Sequence, residues 1–309
     1  MLSSLRFRYG RWRGVRDASR GLAPPSAAER ALIDELRAGC RAASVEGASG
    51  GTPNEADWAT AVNRLRHLAL NADPRAFLRW DVIVERMAAR RSPVTPIELA
   101  SLQARPDWES RWRRAIRECE AGRPFRYPGW PESSEPLIQT AYTLARLETL
   151  ARRPVAEWDV VIEFGGGFGS LCRLMHQLGF RGRYVIFDLP PFTHLQRYFL
   201  RSAGVLREGD DRIVLTSDPS ALEGEVAALP PAAWAMFVAC WSLSETPLAL
   251  RARIRPLVER IGRYAIAYQE RYGEVDNVDY FTDHWLVGTR HTQPIVHRPG
   301  DHLLVGGAA

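Results

Sequence analysis

Residues 160–171 read VVIEFGGGFGSL. The apolar run Val160, Val161, Ile162 ends in Glu163 and opens directly into a glycine turn, Gly165, Gly166, Gly167, Phe168, Gly169. Leu171, Leu174, Met175 and Leu178 then recur at helical spacing, so the pattern is strand, tight turn, helix. Glycine tolerates positive φ and lets a ligand approach the backbone closely, and the start of a helix presents free N–H groups. Such a turn suits a polar, nucleotide-like ligand above the strand end. A second strand at 183–187, RYVIF, ends in Asp188, a carboxylate placed to accept hydrogen bonds from a ribose diol.

Small differences decide which nucleotide. The dinucleotide fingerprint G-x-G-x-x-G needs a third glycine at position 170, where the chain has Ser170; the glycine stands one place earlier, at Gly169. NAD is therefore disfavoured. A Walker loop needs a lysine, and all 41 Lys+Arg residues are arginine, which also removes Schiff-base and PLP chemistry. The order acid, x, Gly, x, Gly, x, Gly, set by Glu163, Gly165, Gly167 and Gly169, is followed by a second acid, Asp188, after the next strand. This order resembles motifs I and II of the class I S-adenosylmethionine-dependent methyltransferases.

The resemblance narrows further along the chain. The segment FDLPPFTHLQRYFL (187–200) is similar to the DLP-x-x-x-x-LQ-x-Y segment of a family of sugar O-methyltransferases, and CWSLSETP (240–247), IAYQERYGEVDNVDYF (266–281) and HRPGDHLLVG (297–306) fit the same family. The likeness spans about Ser134 to the end of the chain. It implies a Rossmann-like sheet of seven strands, S-adenosylmethionine as cofactor and a hydroxyl of a sugar or glycosylated small metabolite as methyl acceptor.

Composition fits an enzyme of this kind. With 309 residues, 46% of them hydrophobic and 25% charged, the chain can bury one large core and a smaller second unit. No apolar run reaches the ~18 residues of a membrane span. Cys40, Cys119, Cys172 and Cys240 are far apart and form no C-x-x-C pair, which argues against zinc and a disulfide framework and fits a reducing cytoplasm. The net charge of +5 owes much to Arg6, Arg8, Arg11, Arg13, Arg16 and Arg20, opposed within the first twenty residues only by Asp17. This arginine-rich tail, residues 1–26, lacks the apolar core of a secretory signal and reads as a solvated segment; nucleic acid is a minor alternative partner.

The chain divides in two. Residues 27–153 have helical periodicity, with Trp58, Val62, Leu65, Leu68 and Ala69 on one face and Trp80, Ile83, Val84 and Met87 on the next. No alternating strand stands out here, and residues 43–53, rich in Gly, Ser and Ala, read as a flexible link. The resemblance implies that this helical subdomain serves as a lid or a homodimer face. Pro128, Gly129 and Pro131 predict a loop that leads into a helix bearing Tyr142, which is placed to reach the cofactor or to fill the core. In residues 154–309, strands expected at 160–164, 183–187, 212–215, 234–239 and 264–268 alternate with helices at 171–178, 192–203, 220–228 and 247–261. That alternation predicts an α/β fold with a parallel sheet covered on both faces, and the tail from Trp285 to Leu304 is expected to add an antiparallel hairpin.

Ligands of such sheets bind at the carboxyl ends of the strands. Glu163 is expected to orient the methionine portion of the cofactor or to shape the turn, Asp188 with Leu189 to hold the ribose, and Ser217 to lie near adenine. Trp241 is placed to line the sulfonium by cation–π attraction. A sugar hydroxyl is a poor nucleophile, so a general base helps, and Glu245, Asp276 and His284 are the candidates, with His302 behind them. Gln269, Asp276, Asn277, Tyr280 and Phe281 read as an acceptor wall of polar groups and aromatic faces. Asp276, Asp279, Asp283 and His284 cluster in sequence, but their spacing matches no cation loop, and no metal is expected. Two other functions compete with methyl transfer. The cofactor's own amino group could attack its side chain, giving a cyclised amino acid and methylthioadenosine, or the fold could serve binding alone.

Overall fold

The computed structural model describes residues 18–43, 53–88, 91–286 and 288–307. Arg6, Arg8, Arg11, Arg13 and Arg16, and nearly all of the 43–53 link, lie outside the described residues. The first half is helical, as its periodicity predicts: α1 (Ala27–Ala42), α2 (Pro53–Asn71), α3 (Asp81–Arg86), α4 (Thr95–Gln103) and α5 (Glu135–Ala151). A capping box starts α1, in which Ser26 Oγ accepts from the Glu29 N–H and the Glu29 carboxylate accepts from the Ser26 N–H. One expectation fails here. The Pro128–Gly129 segment is the turn of a β-hairpin, with β1 (Arg126–Tyr127) paired antiparallel to β2 (Trp130–Ser134). The hairpin escapes the sequence reading because β1 is only two residues long and β2 carries Pro131, which a two-stranded edge tolerates.

The second half alternates as expected: β3 (Val160–Phe164), α6 (Ser170–Gln177), β4 (Arg183–Phe187), α7 (Pro190–Ser202), β5 (Ile213–Thr216), α8 (Pro219–Ala227), β6 (Ala235–Cys240), α9 (Leu248–Ile261) and β7 (Arg263–Gln269). A short hairpin follows, β8 (Arg271–Tyr272) with β9 (Val275–Asp276), and then β10 (Arg290–Pro294) and β11 (Asp301–Gly307). The main sheet has seven strands in the order β10-β11-β7-β6-β3-β4-β5. β7, β6, β3, β4 and β5 are parallel, and β11 runs antiparallel to both β7 and β10. This is a Rossmann-like α/β sheet with the expected antiparallel hairpin at one end.

Why β3 is central follows from its side chains. Every residue of VVIEF is buried, as a strand covered on both faces requires. Val160, Ile162 and Phe164 pack with Phe237, Val258 and Leu304 on one face. Val161 points the other way, into a cluster that also holds Leu36, Leu65, Trp80, Leu137, Leu174 and Phe199. The amino-terminal helices therefore share one apolar core with the sheet, and they lie over the side of it that carries α6 and α7. Among the described residues no helix is long and apolar enough to cross a membrane.

Candidate functional site

Because β3, β4, β5 and β6 are parallel, their carboxyl ends bring Gly165, Asp188, Ser217 and Trp241 to one edge of the sheet. The turn after β3 is left-handed at Gly165 (φ +70°), Gly167 (φ +58°) and Gly169 (φ +95°), a sequence of conformations that only glycine adopts without strain. Space adds a second constraint. A Cβ on Gly165 would lie 2.4 Å from Ser242 Cβ, and one on Gly167 would lie 3.0 Å from Met87 Sδ. Met87 follows α3, so the helical unit reaches over the turn with the flexible end of a thioether.

Asp188 sits above the same turn. Its Oδ2 accepts from the Gly167 N–H (3.0 Å) and from Gln196 Nε2 (2.8 Å), and its Oδ1 accepts from the Leu189 N–H (2.7 Å). Loss of water raises its carboxyl to about 7 despite these donors. With Oδ2 doubly engaged, Oδ1 is the oxygen with a lone pair to offer a hydroxyl donor. Ser217 follows β5 directly beside it, since the Asp188 N–H donates to the carbonyl of Thr216 (3.0 Å), and Leu189 is exposed at the rim. Glu163 lies beneath the turn and is 4% exposed; its Oε2 is 2.9 Å from where a Gly166 Cβ would stand and accepts from Tyr184 Oη (2.8 Å). Burial raises its carboxyl to about 8. Of the two sequence readings, support of the turn is the one this geometry matches.

Trp241, the first residue after β6, is the non-glycine residue with the largest positive φ (+61°) among the described residues. Its N–H donates to the Ala267 carbonyl (2.7 Å), which holds it there, and the Asp301 carboxylate lies near its indole. A strained backbone held by a neighbouring strand is a common property of functional sites. Glu245 ends the short turn that follows (Leu243–Glu245). Its Oε2 accepts from Trp58 Nε1 of α2 (3.1 Å), and burial raises its carboxyl to about 7 while Trp58 and Arg86 oppose the rise. A carboxylate near neutrality at the ligand edge is suited to proton transfer.

Other sequence candidates are placed elsewhere. His284 is exposed and lies with Arg255, Gly262 and Tyr264, at the edge where β7 begins, which is opposite the glycine turn; the extra turn at Tyr280–His284 carries it there. Asp276 caps the short helix Asn277–Asp279 by accepting from the Asp279 N–H, and it is bonded to Arg271. These contacts hold its carboxyl below the usual range, so it is a poor base. The acceptor wall dissolves in part. Asn277 is fully buried, accepts from Arg251 Nη1 (2.8 Å) and donates to the Gln269 carbonyl (2.9 Å), while Phe281 is buried against Tyr268 with ring centroids 4.7 Å apart. Tyr280 covers the Arg251 guanidinium at 4.8 Å. Gln269 Oε1 accepts from Ser244 Oγ (2.7 Å). These residues brace the loop that carries Glu245 from behind. Tyr142 is buried edge-on to His297 (5.0 Å), where His297 and Arg298 meet the buried Glu98 of α4.

Sequence reasoning passed over Gln196, Trp58, Met87, Asp301 and Arg251. Gln196 stood in a quoted motif and carried a signal of its own, whereas Trp58 and Met87 join the site from distant helices and look like ordinary core positions.

No protein-family model matches the sequence, and comparison with curated proteins finds none similar to it. Solved structures with a similar chain path include the bifunctional kinase-methyltransferase WbdD, with 12% identity over 55% of this chain and 38% of that one and a TM-score of 0.37. The match thus spans well under half of WbdD. An rRNA methylase from Streptococcus thermophilus matches with 16% identity over 54% of this chain and 95% of its own (TM-score 0.37). Precorrin-6y C5,15-methyltransferase from Geobacter metallireducens matches with 13% identity over 60% and 94% (TM-score 0.37). At these values the likeness bears on neither substrate nor reaction.

Proposed function

We propose that the chain is an S-adenosylmethionine-dependent methyltransferase acting on a hydroxyl of a sugar or glycosylated small metabolite. The observation that carries the cofactor reading is the turn with left-handed Gly165, Gly167 and Gly169 at the carboxyl end of β3, capped by Asp188 from the neighbouring strand. The donor set fits the group: Asp188 Oδ1 for a ribose hydroxyl, Ser217 beside it, and the Trp241 ring for a sulfonium. Bound there, the cofactor supplies an activated methyl group with its own leaving group. The chain's part is to align an acceptor oxygen and exclude water, for which the helical unit over the turn is placed, and to take the hydroxyl proton at Glu245. The sugar specificity rests on the sequence resemblance at 187–200, 240–247, 266–281 and 297–306.

Two measurements test this. In calorimetry with S-adenosylhomocysteine, Asp188→Ala should bind more weakly by ~1.5–3 kcal/mol, the range for a hydrogen bond to a charged group, with its fold retained. Incubation with S-adenosylmethionine alone should yield almost no product, and S-adenosylhomocysteine should accumulate once a hydroxylated acceptor is added. Enzyme-dependent methylthioadenosine from the cofactor alone would instead establish the intramolecular reaction and reject methyl transfer.

A further inference from the structure

Glu245 ends the turn after β6, yet its indole donor comes from the helical first half of the chain. Trp58 belongs to α2, and its Nε1 donates to Glu245 Oε2 at 3.1 Å across a sequence separation of 187 residues. The phenol of Tyr272 in β8 lies close enough to feel both the indole and the Glu245 charge. The Trp58 ring meets Phe192 edge-on, with centroids 6.3 Å apart at 71°, and the Arg86 guanidinium lies 5.4 Å from its centre. Arg86 is itself held by Asp57 at 2.6 Å. Among the described residues, the charged and titratable groups that face Glu245 are Asp57 from α2, Arg86 from α3 and Tyr272 from β8, with Trp58 between them.

An indole N–H can only donate. A fixed donor on one carboxylate oxygen sets the plane of the group, favours its charged form and leaves Oε1 to receive a proton. We propose that Trp58 is a positioning residue for Glu245, assembling the base only when α2 lies across the end of β6. This rests on the reading of Glu245 as the general base. Burial supports it independently: water exclusion moves the Glu245 carboxyl to about 7, where a single hydrogen bond decides whether the base form is present at neutral pH.

Carboxyl-13C glutamate labelling of the full chain tests the proposal without an acceptor. The Glu245 resonance, identified by its loss in Glu245→Gln, should titrate near pH 7 in the parent protein and about one pH unit higher in Trp58→Phe, since the phenyl ring keeps an aromatic face toward Phe192 and Arg86 and lacks the donor. The Trp58 indole 1H–15N signal should move with the same midpoint and stop moving in Glu245→Gln. That arm keeps the test decisive if Trp58→Phe misfolds. An unchanged midpoint in a folded Trp58→Phe, or an indole signal that ignores pH or still titrates in Glu245→Gln, overturns the proposal. S-adenosylhomocysteine titrated into the parent protein separates the two readings. Absence of binding there defeats the cofactor assignment, while the titration coupling stands or falls by itself.

Discussion

Gln196 Nε2 donates to Asp188 Oδ2 at 2.8 Å and to the Gly167 carbonyl at 2.9 Å, so one buried amide clamps the acid after β4 to the glycine turn after β3. The Gly167 N–H donates to the same carboxylate oxygen, which closes a small ring of bonds across the two strand ends. The clamp turns Oδ1 toward the rim before any ligand arrives. Gln196→Leu removes both bonds at nearly constant volume. It is expected to weaken S-adenosylhomocysteine binding about tenfold or more, the scale of a hydrogen bond to a charged group, in calorimetry on a variant whose circular dichroism is unchanged. Parent-like affinity in that variant would show that Asp188 needs no preorganisation.

The three left-handed glycines of the turn differ in what surrounds them. Gly165→Ala forces a Cβ to within 2.4 Å of Ser242 Cβ, and Ser242 Oγ is tied to the Phe164 carbonyl, so strand end and loop must separate. Gly167→Ala meets only the mobile end of Met87 at 3.0 Å. Thermal unfolding should accordingly lose more in Gly165→Ala, while Gly167→Ala should cost about 1–2 kcal/mol of backbone strain and still weaken cofactor binding. Equal losses of stability in the two variants would show that strain alone, without the contact to Ser242, governs the turn.

Much of the sheet was legible because its information is local. Each of the five parallel strands is built around a short apolar run bounded by a turn, and the pairing of β3 with β4 brings the ends that carry Glu163 and Asp188 side by side. The acceptor side was not legible, for a physical reason. Asn277, Gln269 and Tyr280 carry the polar and aromatic groups that an acceptor would use, but Asn277 and Tyr280 serve a buried guanidinium and Gln269 binds Ser244 and Asn277 beside it. Only knowledge that Arg251 lies beneath them, fully buried, distinguishes the two uses. His284 was misplaced because a turn at Tyr280–His284 sends it to the other end of the sheet, and Trp58 was passed over because its partner is far away in sequence.

Arg251 is the keystone of the Glu245 loop. It donates to the carbonyls of Thr246 (3.0 Å) and Ser244 (2.6 Å) and to Asn277 Oδ1 (2.8 Å), with Tyr280 and Phe281 over its guanidinium. Burial lowers its pKa to about 10, which leaves it charged at neutral pH. Arg251→Met keeps the stem, strands the Thr246 carbonyl and Asn277 Oδ1 in a dry interior and leaves the Ser244 carbonyl only its 3.3 Å bond from Asn277 Nδ2. A loss of ~3 kcal/mol or more is expected in denaturant unfolding, given the cost of each buried unsatisfied group. A variant within 1 kcal/mol of the parent would mean that water replaces the guanidinium, and that the loop is wetter than its burial indicates.

Glu163 makes stability depend on pH in an unusual direction for a carboxyl group. Its folded value of about 8 lies above the ordinary 4.5, because burial outweighs the hydrogen bond from Tyr184. Between those two values the unfolded chain has released the proton and the folded chain still holds it, so rising pH favours unfolding throughout that window. The slope approaches about 1.4 kcal/mol per pH unit for one full proton and levels off above the folded value. Asp188 and Glu245, both raised to about 7, act in the same direction over a narrower range. Urea unfolding at pH 6 and pH 8.5 should therefore find the protein less stable at the higher pH. Glu163→Gln, whose amide oxygen can still accept from Tyr184 and which carries no titrating proton, should flatten that dependence without abolishing the part due to Asp188 and Glu245. A slope identical in parent and variant would show that Glu163 titrates normally and that the floor of the turn is open to water.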